Sequence, residues 1–228
     1  MSITARVVRT TQLTPHVREL YLQPATPIEY KPGQWVSLAL PIGQHPPLKR
    51  VYSMASPMRE DGLLHLIFDQ VPNGAGSSYL AQLAPGAEVE IKSYMGNFIL
   101  PEPLQPQLLF VARYTGIVPV MAILTRLAQQ DYPGSVHLIY SSPDESERFF
   151  VEELSGLSLK RLSVDYLNLN EHVDDNPDAL AALAYAKTVD LKSTNGFVCG
   201  VGEMVRPLRR GLIDLGLPKR QVRAERFT

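Results

Sequence analysis

Residues 50–57 read Arg50-Val51-Tyr52-Ser53-Met54-Ala55-Ser56-Pro57, and further on comes Gly74-Ala75-Gly76-Ser77-Ser78-Tyr79-Leu80. The first stretch is β-prone, so with a period of two Arg50 and Tyr52 share a face, while Ser53 points to the other or is re-aimed by a bend. A planar cation suited to a diphosphate, an aromatic ring able to stack on a flat ring system and a hydroxyl able to reach a ring nitrogen then lie close together. Taken alone, the tetrapeptide fits better an ordinary strand with Arg50 and Tyr52 facing solvent. The second stretch sets glycines ahead of a helix expected over 77–83, with Ser77 and Ser78 as caps. Backbone N–H groups can approach a phosphate there, although a plain capped turn uses the same residues.

Working outward, the chain up to about Lys92 carries six short β-prone runs, at 5–10, 17–22, 35–40, 49–54, 63–70 and 88–92. Pro, Gly, Asn and Asp signals separate them, and six such strands suggest a small antiparallel barrel. Pro101-Glu102-Pro103-Leu104-Gln105-Pro106 suits neither a helix nor a central strand, so the boundary between two domains is expected there, at 1–100 and 101–228. Beyond it strand and helix alternate: strand 108–112, helix 117–130, strand 136–140, helix 147–154, strand 161–166, helix 177–186, strand 196–199, helix 203–215 and strand 221–226. That alternation predicts a Rossmann-like parallel α/β domain, which takes ligands beyond the carboxyl ends of its strands.

The order of these parts resembles the ferredoxin–NADP reductase superfamily, and the resemblance covers nearly the whole chain. Arg50, Tyr52 and Ser53 match its flavin-binding Arg-x-Tyr-Ser strand, and Lys31-Pro32-Gly33-Gln34 its Pro-Gly-Gln turn. Gly74, Gly76, Ser77 and Ser78 fall in its pyrophosphate turn. Thr115-Gly116-Ile117-Val118-Pro119 is similar to the Thr-Gly-Ile-Ala-Pro nucleotide turn, Cys199-Gly200 with Met204 to Cys-Gly-x-x-x-Met, and Glu225-Arg226-Phe227 to the Glu-x-aromatic ending. The resemblance implies an oxidoreductase with FAD on the barrel and NADH or NADPH as substrate on the α/β domain. Arg50 would then pair with the FAD diphosphate, Tyr52 would support the isoalloxazine, and Ser53 would hydrogen-bond N5. Cys199 would touch the nicotinamide with Gly200 beside it, Glu225 would serve as a charge or proton partner, and Phe227 would cover the flavin. Thr115, Gly116, Pro119 and Met204 would complete the nucleotide site. The acceptor would be ferredoxin, flavodoxin, an oxygenase component or free flavin; the alternative is an electron-transfer subunit or regulatory module with impaired nucleotide binding.

Two departures carry expectations of their own. Where family members commonly have two glycines before the threonine, this chain has Arg113-Tyr114, whose side chains are expected at the mouth of the nucleotide site, covering it or binding its diphosphate. After Tyr140 the run Ser141-Ser142-Pro143-Asp144-Glu145 lacks the arginine that marks many NADPH users, and its acids favour a ribose diol, hence NADH, unless Arg148 or Arg113 binds a 2′-phosphate instead.

Composition narrows the remaining classes. The 22 basic and 23 acidic residues nearly cancel, against a nucleic-acid partner. Cys199 is the only cysteine, so the chain forms no internal disulfide and no four-thiolate cluster. His16, His45, His65, His137 and His172 lack ligand spacing, so no metal is expected. Met1 to Arg6 lacks a charged start followed by an apolar core, and the longest apolar stretch, 116–124, is too short to span a bilayer, from which a soluble, cytoplasmic protein is expected; a monomer or weak dimer is the expected assembly.

Overall fold

A computed structural model describes residues 2–43, 47–171 and 176–227; His45 and His172 lie outside them. The first half holds β1 (Ile3–Gln12), β2 (Val17–Pro24), β3 (Trp35–Leu40), β4 (Leu48–Ser53), β5 (Leu64–Asp69) and β6 (Glu88–Met95). They form one antiparallel sheet in the order β4-β3-β6-β1-β2-β5, and a bridge between Met54 and Leu66 links its two edges. Leu20, Leu22, Val36, Leu38, Leu40, Leu64 and Leu66 alternate inward to fill the barrel. Each such side chain is worth roughly 1.5–3 kcal/mol when buried. A one-residue slip in pairing would expose a whole strand's set, so the pattern fixes register as well as stability.

Between β5 and β6 lies α1 (Ala75–Ala81), which begins two residues before the expected start. Its N-cap is Gly74, and neither Ser77 nor Ser78 caps it. The Ser77 hydroxyl turns back instead, accepting from Val71 N–H at 3.1 Å and donating to the Gly74 carbonyl at 3.3 Å, so it braces the turn.

The second half alternates as its sequence predicts: β7 (Gln107–Arg113), α2 (Ile117–Gln129), β8 (Ser135–Ser142), α3 (Val151–Ser155), β9 (Leu162–Asn168), α4 (Pro177–Ala186), β10 (Thr194–Val201), α5 (Val205–Asp214) and β11 (Val222–Phe227). The five strands are parallel in the order β11-β10-β7-β8-β9. The chain enters in the middle at β7, winds out to β9 and crosses back to β10, so strand order reverses between β7 and β10. A crevice beyond their carboxyl ends is where such sheets take ligands.

The helix expected over 147–154 starts late. Asp144 accepts from the N–H groups of Ser146 and Glu147 and closes a 3-10 turn at 145–147, after which Phe150 adopts φ +66° and breaks the helical path. Helical periodicity in that stretch lost to a local side-chain cap and to the burial of Glu147. The two halves share one apolar core: Val17, Ala55, Ile67 and Phe98 pack with Phe110, Tyr114, Ile117, Val118 and Met121. That shared core sets the end of the barrel against the carboxyl edge of the parallel sheet.

Candidate active site

Between the halves lies a cleft of about 270 Å³. Arg50 to Ser53 of β4, Ile67 to Asp69 of β5 and Gly74 to Ser77 around the start of α1 form one wall; Thr115, Val118 and Phe227 form the other. Four of the sequence motifs, far apart along the chain, therefore meet around one space.

The strand motif divides as its period requires. Tyr52 is half-buried, its ring edge-on to Phe68 at 5.9 Å, and burial pushes its phenol up to about 12, so it stays neutral. Arg50 is exposed, with Nη1 donating to its neighbour's carbonyl on Lys49 at 2.9 Å. A Cβ on Gly76 would come within 2.9 Å of Arg50 Cγ, so a side chain there would displace the arginine stem from its place across the turn. Ser53 is 3% exposed and donates to Glu225 Oε1 at 3.1 Å. Burial pushes the Glu225 carboxyl up to about 7, against the lowering effect of that hydrogen bond. An acid on one half thus stands behind a hydroxyl on the other, poised to hold or release a proton near neutral pH.

Glu225 sits beside Cys199 in the β10–β11 register. Cys199 is fully buried, and burial with the adjacent Glu225 pushes its thiol well above the usual range. It is therefore a neutral thiol and not a nucleophile. Gly116 is dictated by a close approach, since a Cβ there would lie 2.3 Å from the Cys199 carbonyl oxygen. Gly200 and Met204 follow Cys199 at the end of β10, and Pro119 lies buried in the first turn of α2.

Arg113 and Tyr114 correct the sequence expectation. Each is only 9% exposed, and neither lines the cleft. Arg113 turns toward α4 and grips Asp178 with two hydrogen bonds, at 2.8 and 2.5 Å, with a third to Asn176 at 3.1 Å. Ser141 also donates to Asp178, at 2.7 Å, and Asp178 is 0% exposed. Tyr114 turns toward the barrel and donates to Glu147 Oε2 at 3.0 Å. Its φ of +52° is the backbone of a glycine, a conformation that costs a β-carbon residue about 1 kcal/mol or more. Glu147 also accepts from Thr14 at 2.6 Å and meets His16, which ties the β1–β2 loop to the nucleotide turn. Two bulky residues fit a glycine turn here because each side chain is drawn to an acid away from the ligand face.

Those two acids were not legible in the sequence: Glu147 reads as part of a helix and Asp178 as an ordinary acid in the first turn of α4. Asp69, at the cleft itself, carries no motif. Among the described residues no group of three or more His, Cys, Asp and Glu is placed to hold a metal ion. His16, His65 and His137 each face a carboxylate.

A flavin dinucleotide is compatible with this donor set. Arg50 offers free guanidinium donors beside a turn that excludes a Cβ, Tyr52 offers a flat neutral ring, and the Ser53–Glu225 pair offers a hydroxyl. The cleft would take the ring system, with Arg50 and the Gly74–Ser77 turn on its wall to hold the diphosphate.

Comparison with known proteins agrees with this arrangement. Residues 4–99 match the family described as the oxidoreductase FAD-binding domain. Ferredoxin–NADP reductase B of Sorangium cellulosum is 30% identical over 242 residues, covering 98% of this chain and 96% of that protein. The ferredoxin reductase component of 3-ketosteroid-9-alpha-monooxygenase from Rhodococcus rhodochrous is 32% identical over 204 residues, covering 87% of this chain but only 56% of that protein. In fold, a ferredoxin NADP+ reductase from Neisseria gonorrhoeae, solved with bound FAD and NADP, superposes with a TM-score of 0.82 over 99% of this chain and 98% of its own, at 20% identity. The chain belongs to the ferredoxin–NADP reductase superfamily of FAD-binding oxidoreductases.

Proposed function

We propose that this protein holds FAD across the cleft, accepts hydride from NADH or NADPH beyond the carboxyl ends of β7 and β10, and passes the electrons to a separate acceptor. The observation that carries the reading is the meeting of Arg50, Tyr52 and Ser53 of one half with Phe227 of the other around a single cleft, with Glu225 hydrogen-bonded behind Ser53. FAD supplies the hydride and electron chemistry when bound; the chain supplies binding, orientation and proton control.

In this reading the division of labour falls at residues 100 and 101. Arg50 pairs with the diphosphate, helped by backbone N–H groups of the Gly74–Ser78 turn, and Tyr52 lies against the ring. Ser53, held by Glu225, would present its hydroxyl oxygen to the flavin ring, while Glu225 would store or release a proton at neutral pH. Phe227, which lines the cleft, would shield the ring from water. Thr115, Gly116 and Pro119 at the start of α2, with Cys199, Gly200 and Met204 on the β10 side, bound the nucleotide. The electron acceptor is a ferredoxin, a flavodoxin, an oxygenase component or free flavin; of these, the relatives' names mention a ferredoxin and a monooxygenase.

The proposal includes a cytoplasmic setting, a monomer or weak dimer, and no nucleic-acid partner. Among the described residues no helix is long and apolar enough to cross a membrane. The test is anaerobic mixing of the yellow protein with NADH: rapid bleaching of the flavin absorbance supports the reading. Retained colour with bound FAD would instead make the chain a flavin-binding subunit or module without nucleotide turnover.

A further inference from the structure

Among the described residues, every hydrogen bond and ion pair that joins the barrel half to the α/β half ends on one of two carboxylates. One is Glu225, which accepts from Ser53 beside the cleft. The other is Glu147, which accepts from the Thr14 hydroxyl at 2.6 Å and meets His16 Nδ1. Glu225 lies on β11 and Glu147 just past β8. In the order β11-β10-β7-β8-β9 the two acids therefore flank β10 and β7, beyond whose carboxyl ends the crevice opens.

Both ends of the Glu147 contact are braced. Thr14 Oγ1 accepts from Val17 N–H at 2.9 Å, and Gln12 Nε2 donates to the Thr14 carbonyl at 2.6 Å, which closes the β1–β2 loop around the hydroxyl. On the other side Asp144 accepts from Glu147 N–H at 3.3 Å and holds the turn that carries the acid. Glu147 is buried, and although burial alone would raise its carboxyl, the donors Thr14, His16 and Tyr114 hold it below the usual range, so it stays ionised. Charge-assisted bonds of this kind are short and directional. The apolar core between the halves is not directional: burying Val17, Ile67 and Phe98 holds the halves together but defines their relative rotation weakly. Tyr114 donates from the same half as Glu147 and adds no contact across the boundary.

We propose that Glu147 is a positioning residue for hydride transfer: by gripping Thr14 and His16 it fixes, together with the Ser53–Glu225 contact, how the nucleotide-binding half is turned toward the flavin-binding half. The proposal rests on the reading that hydride passes from one half to the other. Glu147 does not line the cleft, so it acts through the orientation of the halves. Held at one point, two packed bodies still pivot about it; a second point on the far side of β10 and β7 removes most of that freedom. A misplacement of about 1 Å between reacting groups costs up to roughly a hundredfold in rate.

The test is anaerobic stopped-flow reduction of the FAD-loaded protein over a range of NADH concentrations, with reduction by dithionite as the control. Glu147→Ala should lower the limiting rate of flavin reduction roughly tenfold or more, while the NADH concentration for half-maximal rate, the flavin content and the rate with dithionite stay at wild-type values. Glu147→Gln, which keeps an oxygen for Thr14, should recover part of the loss. Thr14→Ala and His16→Ala, the latter at a side chain 64% exposed, each remove one contact across the boundary; they should lower the limiting rate several-fold, and they carry the test if Glu147→Ala does not fold. A limiting rate equal to wild type in these variants, whatever their stability, overturns the proposal. So does an equal loss with dithionite, since the flavin site itself would then be disturbed. If NADH does not bleach the wild-type flavin at all, the functional reading fails and this proposal with it.

Discussion

Replacing Glu225 by Gln should flatten the dependence of stability on pH between about pH 5 and 8. In the folded chain burial pushes the Glu225 carboxyl from 4.5 to about 7, with the Ser53 hydrogen bond opposing. At 1.36 kcal/mol per unit, that rise corresponds to roughly 3 kcal/mol. Below pH 4.5 the group is protonated whether the chain is folded or not, and the native state carries no penalty from it. As pH rises through the interval, the unfolded chain loses its proton first while the folded one holds it, and stability falls. Above about 7 the folded chain also ionises, and the whole loss has been taken. Gln keeps the size and still accepts from Ser53, but it never ionises, so the variant should be more stable than wild type at pH 8 by roughly 3 kcal/mol and nearly equal to it at pH 4.5. Urea unfolding of both proteins at pH 4.5, 6, 7 and 8 measures this, and the difference between them removes every other titrating group. Parallel curves would refute the argument, since Glu225 would then be as well solvated when folded as when unfolded.

The other expectations follow from the same geometry. Arg50→Ala should weaken FAD binding about thirtyfold, or about 2 kcal/mol, in a titration of apoprotein; undiminished affinity would move the diphosphate elsewhere. Asp178→Ala should cost about 3–5 kcal/mol in chemical unfolding, because it leaves the Arg113 guanidinium and the Ser141 hydroxyl buried without their acceptor. Arg113-Tyr114 replaced by Gly-Gly should leave the KM for NADH and the flavin reduction rate unchanged in stopped flow while lowering stability, since both side chains point into the protein; a lower KM would mean that Tyr114 does cover the site. NADH should exceed NADPH in kcat/KM, because hydrogen bonds from Ser146 and neighbouring backbone keep Asp144 ionised just past β8; a preference for NADPH in steady-state rates would reverse this.

Much of the molecule was legible in the chain itself. Period-two apolar runs before Lys92 and strict alternation after Gln107 specify a barrel and a parallel sheet, because each pattern can bury its apolar face in only one kind of layer. Arg50, Tyr52, Ser53, the Gly74–Ser77 turn and Phe227 became identifiable through their order along the chain and the family it resembles, and the structure brings them to one cleft. Local pattern failed where a side chain found a distant partner. The helix expected over 147–154 yielded to the Asp144 cap and to the pull of Thr14, His16 and Tyr114 on Glu147.

Arg113 and Tyr114 mark the limit most clearly. Two large residues in place of glycines read, from sequence, as an obstruction or a phosphate clamp. Which way each side chain turns depends on Asp178 and Glu147, which lie 65 and 33 residues away along the chain. A buried carboxylate attracts a guanidinium or a phenol over a few ångströms only, so that choice exists only once the strands have paired and the halves have packed. The sequence by itself determined the two layers, the strand motifs and the chemistry available to them; the tertiary structure alone decided that the glycine turn stays open, that Ser53 meets Glu225, and that Glu147 meets Thr14 and His16.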